Sequence, residues 1–139
     1  MTAKNIWTPN TTIADVYNRA EEVQEGLQNV AIDIEVAVKM ERYDSLAIHS
    51  ERLAHATQEM IVWKGIKQHV KMAVMENNEE CVQNDLAGYV MKYLVTIICD
   101  EVEGGDPKVK EIRQGIMAEV INQVVKLTVI YQARFKPVA

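Results

Sequence analysis

The chain has 139 residues, of which 48% are apolar and 25% charged, enough apolar material for one packed core and too much for a disordered chain. No run of about 18 uncharged apolar residues is present, and the opening MTAKNIWTPN lacks the basic-then-apolar pattern of a secretion signal. A net charge of −5 argues against nonspecific binding to nucleic acid or to a membrane, both of which need concentrated positive charge; a cytoplasmic protein is expected.

Apolar residues recur at helical spacing and no stretch alternates like a strand, so the expected fold is all-α in a single domain, 1–139. After an N-terminal segment, 1–11, Thr12 can cap a first helix over about 12–42, with Asp15 completing a capping box. Ile13, Val16, Ala20, Val23, Leu27, Val30, Ile34 and Ala37 follow at alternating intervals of three and four, the seam of a long rod packed nearly parallel to its neighbour. Asp44 or Ser45 can then cap a second helix over about 45–76. Its stripe runs through Leu46, His49, Leu53, Ala56, Met60 and Trp63, then drifts onto Val62, Ile66, Val70 and Ala73.

Asn77-Asn78 breaks the chain before a third helix over about 78–103, with Val82, Leu86, Val90, Tyr93 and Ile97 on its seam. Gly104-Gly105-Asp106-Pro107 breaks it again. Asp106 caps a fourth helix over about 107–135, and Pro107 takes the first helical position, where its missing N–H costs nothing. Val109, Ile112, Ile116, Val120, Leu127 and Tyr131 form its seam. Cys81 and Cys99 fall in the third helix, five turns and roughly 27 Å apart, which excludes a bridge between them and suits a reducing compartment.

Breaks this short fold each helix back beside the one before, predicting an antiparallel up-down-up-down four-helix bundle. Charge agrees. Residues 11–44 hold eight acids and three bases (−5), and 45–76 three and four (+1). Residues 77–106 hold seven and one (−6), and 107–139 two and six (+4), so adjacent helices in such a bundle pair acidic with neutral or basic.

The last two helices carry more apolar surface than one seam requires. Ala87, Met91, Val95, Ile98 and Val102 line a second face of the third helix, and Ala118, Ile121, Val125 and Val129 one of the fourth. Either these helices sit centrally, covered by the N-terminal segment with Trp7, or the surplus is a self-association surface. The second is the reading adopted, because monomers rarely expose large apolar patches and a two-fold homodimer is the default assembly.

The most specific acidic string is Glu21-Glu22-Val23-Gln24-Glu25, followed by Glu41-Arg42-Tyr43-Asp44. It resembles the EExxE…ExxD signature of the all-α nucleotide pyrophosphohydrolases, the MazG-like and dimeric dUTPase families. That resemblance implies a Mg²⁺-dependent nucleoside triphosphate pyrophosphohydrolase, with Glu21, Glu22, Glu25, Glu41 and Asp44 holding the metal that binds the triphosphate and activates water. Glu21, Glu22 and Glu25 lie off the Val23/Leu27 seam, however, and Asp44 falls at a helix boundary. Arg42 and His49 fit the loose Rx4–6H pattern and are similar to that of the HEPN ribonucleases, which implies polarisation of a scissile phosphate.

His49, His55 and His69 lack a glutamate three residues before them, so the di-iron pattern is absent. His55 fits an exposed phosphotransfer position but lacks the lysine and glycine expected after it. Lys64, Lys67 and Lys71 form a basic row expected to pair with the acidic first helix, and Lys108, Lys110 and Arg113 a second cluster suited to an acidic partner. The seven methionines read as core filler. No phosphate loop, zinc-ligand spacing or nucleophile elbow occurs.

The expected function is therefore a non-enzymatic protein–protein interaction module of the adaptor, chaperone, immunity, antitoxin or phage-inhibitor kind. It needs no cofactor or metal, associates with itself and binds one other protein. The Mg²⁺-dependent pyrophosphohydrolase is the alternative.

Overall fold

The computed structural model describes residues 4–99 and 106–135, without the side chains of 99 and 128–135. Its elements are α1 (Ile13–Lys39), a short 3-10 turn (Tyr43–Ser45), α2 (Leu46–Glu76), α3 (Glu79–Asn84), α4 (Leu86–Cys99) and α5 (Pro107–Phe135). There is no strand among the described residues, and no described helix is long and apolar enough to cross a membrane.

Local chemistry sets most helix ends. The Asp15 amide donates to Thr12 Oγ1 at 3.2 Å while the Thr12 amide donates to Asp15 Oδ2 at 2.9 Å, a reciprocal box that satisfies two otherwise orphaned donors. At the far end of α1, Glu41 takes the left-handed φ of 57°. The Arg42 amide then reaches Ala37 O (2.8 Å) and the Glu41 amide Val38 O (3.2 Å), closing the last turn in a Schellman arrangement that usually holds glycine. Asn78 Oδ1 accepts from the Glu80 amide at 2.7 Å to start α3, and Asp106 Oδ1 accepts from the Lys108 amide at 2.9 Å ahead of Pro107.

Two expected boundaries differ. Neither Asp44 nor Ser45 caps α2 through its side chain, because the 3-10 turn runs straight into it with Ser45 already in the α region. The Ser45 hydroxyl instead donates back to Arg42 O at 2.8 Å. The helix expected over 78–103 is divided at Asp85, whose φ and ψ of −129° and 36° are not helical. Asn84-Asp85 supplies a local stop, and the Asp85 carboxylate packs over Gly88, filling the space a Cβ would need. A long-range anchor reinforces it: Gln83 Nε2 donates to Thr11 O and Gln83 Oε1 accepts from the Ile13 amide, both at 2.9 Å, tying α3 to the start of α1. Cys81 and Cys99 thus lie on different helices, and Cys81 is an exposed free thiol.

Helix α2 is the centre of the molecule. It packs antiparallel to α1 and carries α4, α5 and α3 as well. Trp63, Ile66, Val70 and Ala73 of α2 meet Val16, Ala20 and Val23 of α1, Val82 of α3, Leu86, Val90 and Leu94 of α4, and Ile116, Met117, Val120 and Val124 of α5 in one buried cluster. Burying each such side chain contributes about 1.5–3 kcal/mol. Trp7 folds onto the same cluster, its ring stacked on Trp63 with centroids 6.3 Å apart, and Arg19 lies over Trp63 at 5.8 Å. The N-terminal segment therefore covers the α1/α2 pair.

The cluster stops short of the hairpin's end. The first buried residue of α2 is Gln58, although α1 still buries Val30 and Ala37 against α2 outside the main cluster. This end of the hairpin, residues 27–57, is an arm in which only Val30 and Ala37 are buried, outside the main cluster shared with α4 and α5.

Candidate interaction surface

The acidic residues do not assemble. Glu21, Glu22 and Glu25 are exposed on the first half of α1, and Glu41 and Asp44 are exposed at the turn beyond its end. Twenty residues of helix set Glu21 and Glu41 roughly 30 Å apart along the axis. Among the described residues no three His, Cys, Asp or Glu side chains are grouped to hold a metal ion. Glu22 is engaged otherwise: its carboxylate meets Lys4 at 3.0 Å and Arg19 at 3.2 Å, and the Lys4 hydrogen bond is the main cause holding it below the usual carboxylate range.

The candidate histidines are also dispersed. His49 Nδ1 accepts from Arg52 Nη1 at 3.0 Å, while Arg42 lies back at the turn, so the Arg42/His49 pattern forms no joined pair. His55 is exposed, with Glu59 at 3.9 Å. His69 stacks on Tyr93, centroids 4.9 Å apart; burial, then the nearby Lys92, lowers its pKa from 6.5, with Glu76 opposing. Burial likewise raises the Tyr93 hydroxyl. Of the basic row, Lys67 sits 5.7 Å over the Tyr17 ring, and neither Lys64 nor Lys71 forms an ion pair among the described residues. The expected pairing with the acidic helix is replaced by a cation–π contact. Lys108, Lys110 and Arg113 lie in the first two turns of α5.

The residues expected for self-association divide. Met91 and Ile98 of α4 and Ile121 of α5 are half-buried and pack against the main cluster. Val95, Ala118 and Val125 remain exposed, Val95 and Val125 at 45% and 43%. Val102 lies outside the described residues, as does the Val129 side chain.

The larger apolar exposure is on the arm. Ile32, Val36 and Met40 succeed one another every fourth residue on α1, a stripe running from the side opposite the Val30/Ala37 seam at Ile32 toward it at Met40, and are 55%, 45% and 57% exposed. Ile48 of α2 is 63% exposed. It stands one turn before Arg52, whose guanidinium donates to Asp33 Oδ2 at 3.2 Å, so Ile48 and Asp33 belong to the same side of the hairpin. Tyr43 is exposed at the tip. Sequence reasoning did not single out Ile32, Val36 and Met40, because α1 alone was matched to one seam. The overlooked signal was a second string, Ile32-Val36-Met40, with the same helical spacing. Compared with protein families, curated proteins and solved structures, the chain has no match.

Proposed function

We propose that this chain is a non-enzymatic protein–protein interaction module that works in the cytoplasm as a homodimer, its long helices forming an antiparallel up-down-up-down four-helix bundle. The observation that carries the reading is the surplus of large apolar side chains left open in helical register: Ile32, Val36, Met40 and Ile48 on the arm, Val95 and Val125 on α4 and α5. Large apolar side chains left exposed at helical spacing support a contact surface. The antiparallel α1/α2 hairpin supports the bundle topology, and the exposed free thiol of Cys81 suits a reducing compartment. Partners of the adaptor, chaperone, antitoxin or inhibitor kind use such surfaces.

Sedimentation velocity over the micromolar range tests the assembly. A species of twice the 15.8 kDa chain mass is the expected result. A single 15.8 kDa species at every concentration refutes the homodimer.

A further inference from the structure

We propose that the Trp63 surface between α1 and α2 is a docking site for a basic–aromatic segment of another protein, an aromatic ring with a Lys or Arg three residues before it, and that residues 4–8 of the chain cover it as a displaceable strap. This rests on the reading of the chain as an interaction module, not on the homodimer. Three observations lead to it.

The first is how the N-terminal segment is held. Its hydrogen bonds are largely its own: the Trp7 amide donates to Asn5 Oδ1 at 2.9 Å, the Thr8 amide to Thr11 Oγ1 at 2.8 Å, and the Thr11 hydroxyl to Ile6 O at 2.6 Å. Two polar contacts reach the helices. Gln83 Nε2 donates to Thr11 O at the base of the strap, and Lys4 meets Glu22 in an exposed ion pair, a kind worth little in water. Between those points only the packing of Trp7 and the half-buried Ile6 keeps the segment down. Lifting Trp7 therefore breaks one surface ion pair and no hydrogen bond to the helices, while Thr11 stays pinned.

The second is a pair of orphaned donors. Trp7 is 6% exposed, yet its indole Nε1–H has no acceptor, and neither has Nε of Arg19, whose guanidinium lies 5.8 Å over the Trp63 ring. Buried donors are normally paired, and leaving them unpaired forfeits their bonds to water. The strap is thus an imperfect cover. Once it lifts, both groups regain water, and a foreign segment that brings an acceptor to Arg19 Nε makes a bond the strap does not.

The third is the chemistry of the present occupant. Trp63 offers a ring face, on which Trp7 stacks with planes 18° apart. Arg19 is fixed beside it by Glu22 at 3.2 Å and Glu59 at 3.7 Å. Glu22 also takes the ammonium of Lys4, three residues before Trp7. Residues 11–44, which include α1, hold eight acids against three bases, so the surrounding field favours a basic segment. A ring over Trp63 and a cation at Glu22 are the two anchors a partner needs.

The test measures binding of a dye-labelled peptide of residues 4–12, KNIWTPNTT, to the full chain by fluorescence anisotropy, with helix content followed by circular dichroism. Trp7→Ala empties the site, and Lys4→Glu, at an exposed position, removes only the ion pair. Apparent affinity falls with the fraction of chains that are open, so Trp7→Ala binds the peptide about tenfold or more tighter than wild type, with Lys4→Glu between the two. The same peptide with alanine in place of its tryptophan does not bind. Equal binding by all three chains, or binding of the alanine peptide, overturns the docking site. Should Trp7→Ala lose helix, Lys4→Glu decides alone, and affinity equal to wild type overturns the proposal. A wild-type dimer that Trp7→Ala disperses makes a second copy's strap the occupant and overturns the foreign partner. The wild-type mass in sedimentation is independent of peptide binding, so the docking site and the homodimer fail separately.

Discussion

Gly65→Ala asks whether Tyr93 is held where the structure puts it. An added Cβ would overlap the Tyr93 hydroxyl and lie only 3.0 Å from Cζ and 3.4 Å from Cε1. The ring cannot simply swing aside, because it is stacked on His69 with planes 23° apart and half-buried beside the α2 core. Alanine in a helix interior gains about 1 kcal/mol over glycine, and overpacking costs about 1–3 kcal/mol, so a net loss of about 1 kcal/mol is expected. Tyr93→Phe removes the overlapping oxygen and leaves contacts that yield by a few tenths of an ångström. In that background Gly65→Ala becomes neutral or stabilising, with a coupling of about 1 kcal/mol or more in the double-mutant cycle. Urea unfolding followed by circular dichroism, at one protein concentration for all four chains, measures it. Gly115→Ala is the control: its Cβ meets nothing within 4 Å, so it stabilises by about 0.5–1 kcal/mol. A Gly65→Ala chain that gains as much as the control would refute the packing of Tyr93 over α2.

Three further outcomes are expected. His69 has a folded pKa below 6.5, so below that pH the unfolded chain takes up a proton that the folded one resists. Stability therefore falls as pH drops from about 6.5 toward the folded pKa, and His69→Gln should flatten that part of a thermal-midpoint profile; an unchanged slope would show His69 to be unburdened. Glu41 pays for a left-handed backbone with φ of 57°, so Glu41→Gly should raise the urea midpoint by the equivalent of about 0.5–1 kcal/mol, and a loss would contradict the α1 cap geometry. Leu94 is fully buried between α2 and α5; Leu94→Ala should cost about 2–5 kcal/mol in the same titration, and a cost below about 1 kcal/mol would place Leu94 at the surface.

The starts and stops of the helices were legible because they depend on neighbours a few residues away. Thr12 with Asp15, Asn78, and Asp106 with Pro107 each satisfy or remove backbone donors within one turn, and the seam of α1 is a matter of spacing. The interruption at Asp85 was less legible: Asn84-Asp85 is a mild stop inside a strong apolar pattern, and α3 is also held by the distant bonds of Gln83 to Thr11 and Ile13. Which stripe lies inside was legible on α1, where Ile13, Val16, Ala20, Val23, Val30 and Ala37 of the expected seam are buried, but how far the second stripes are covered was not, since periodicity ranks faces within a helix and does not say what lies opposite. Met91, Ile98 and Ile121 are drawn into the core because α2 lies at its centre, while Ile32, Val36, Met40 and Ile48 stay open although their spacing is as regular. The physical reason is length. At 1.5 Å per residue the 31 residues of α2 run about 46 Å and the 14 of α4 about 21 Å, so α4 cannot cover the whole of α2, and only the assembled tertiary structure decides where α4 and the longer α5 settle along it.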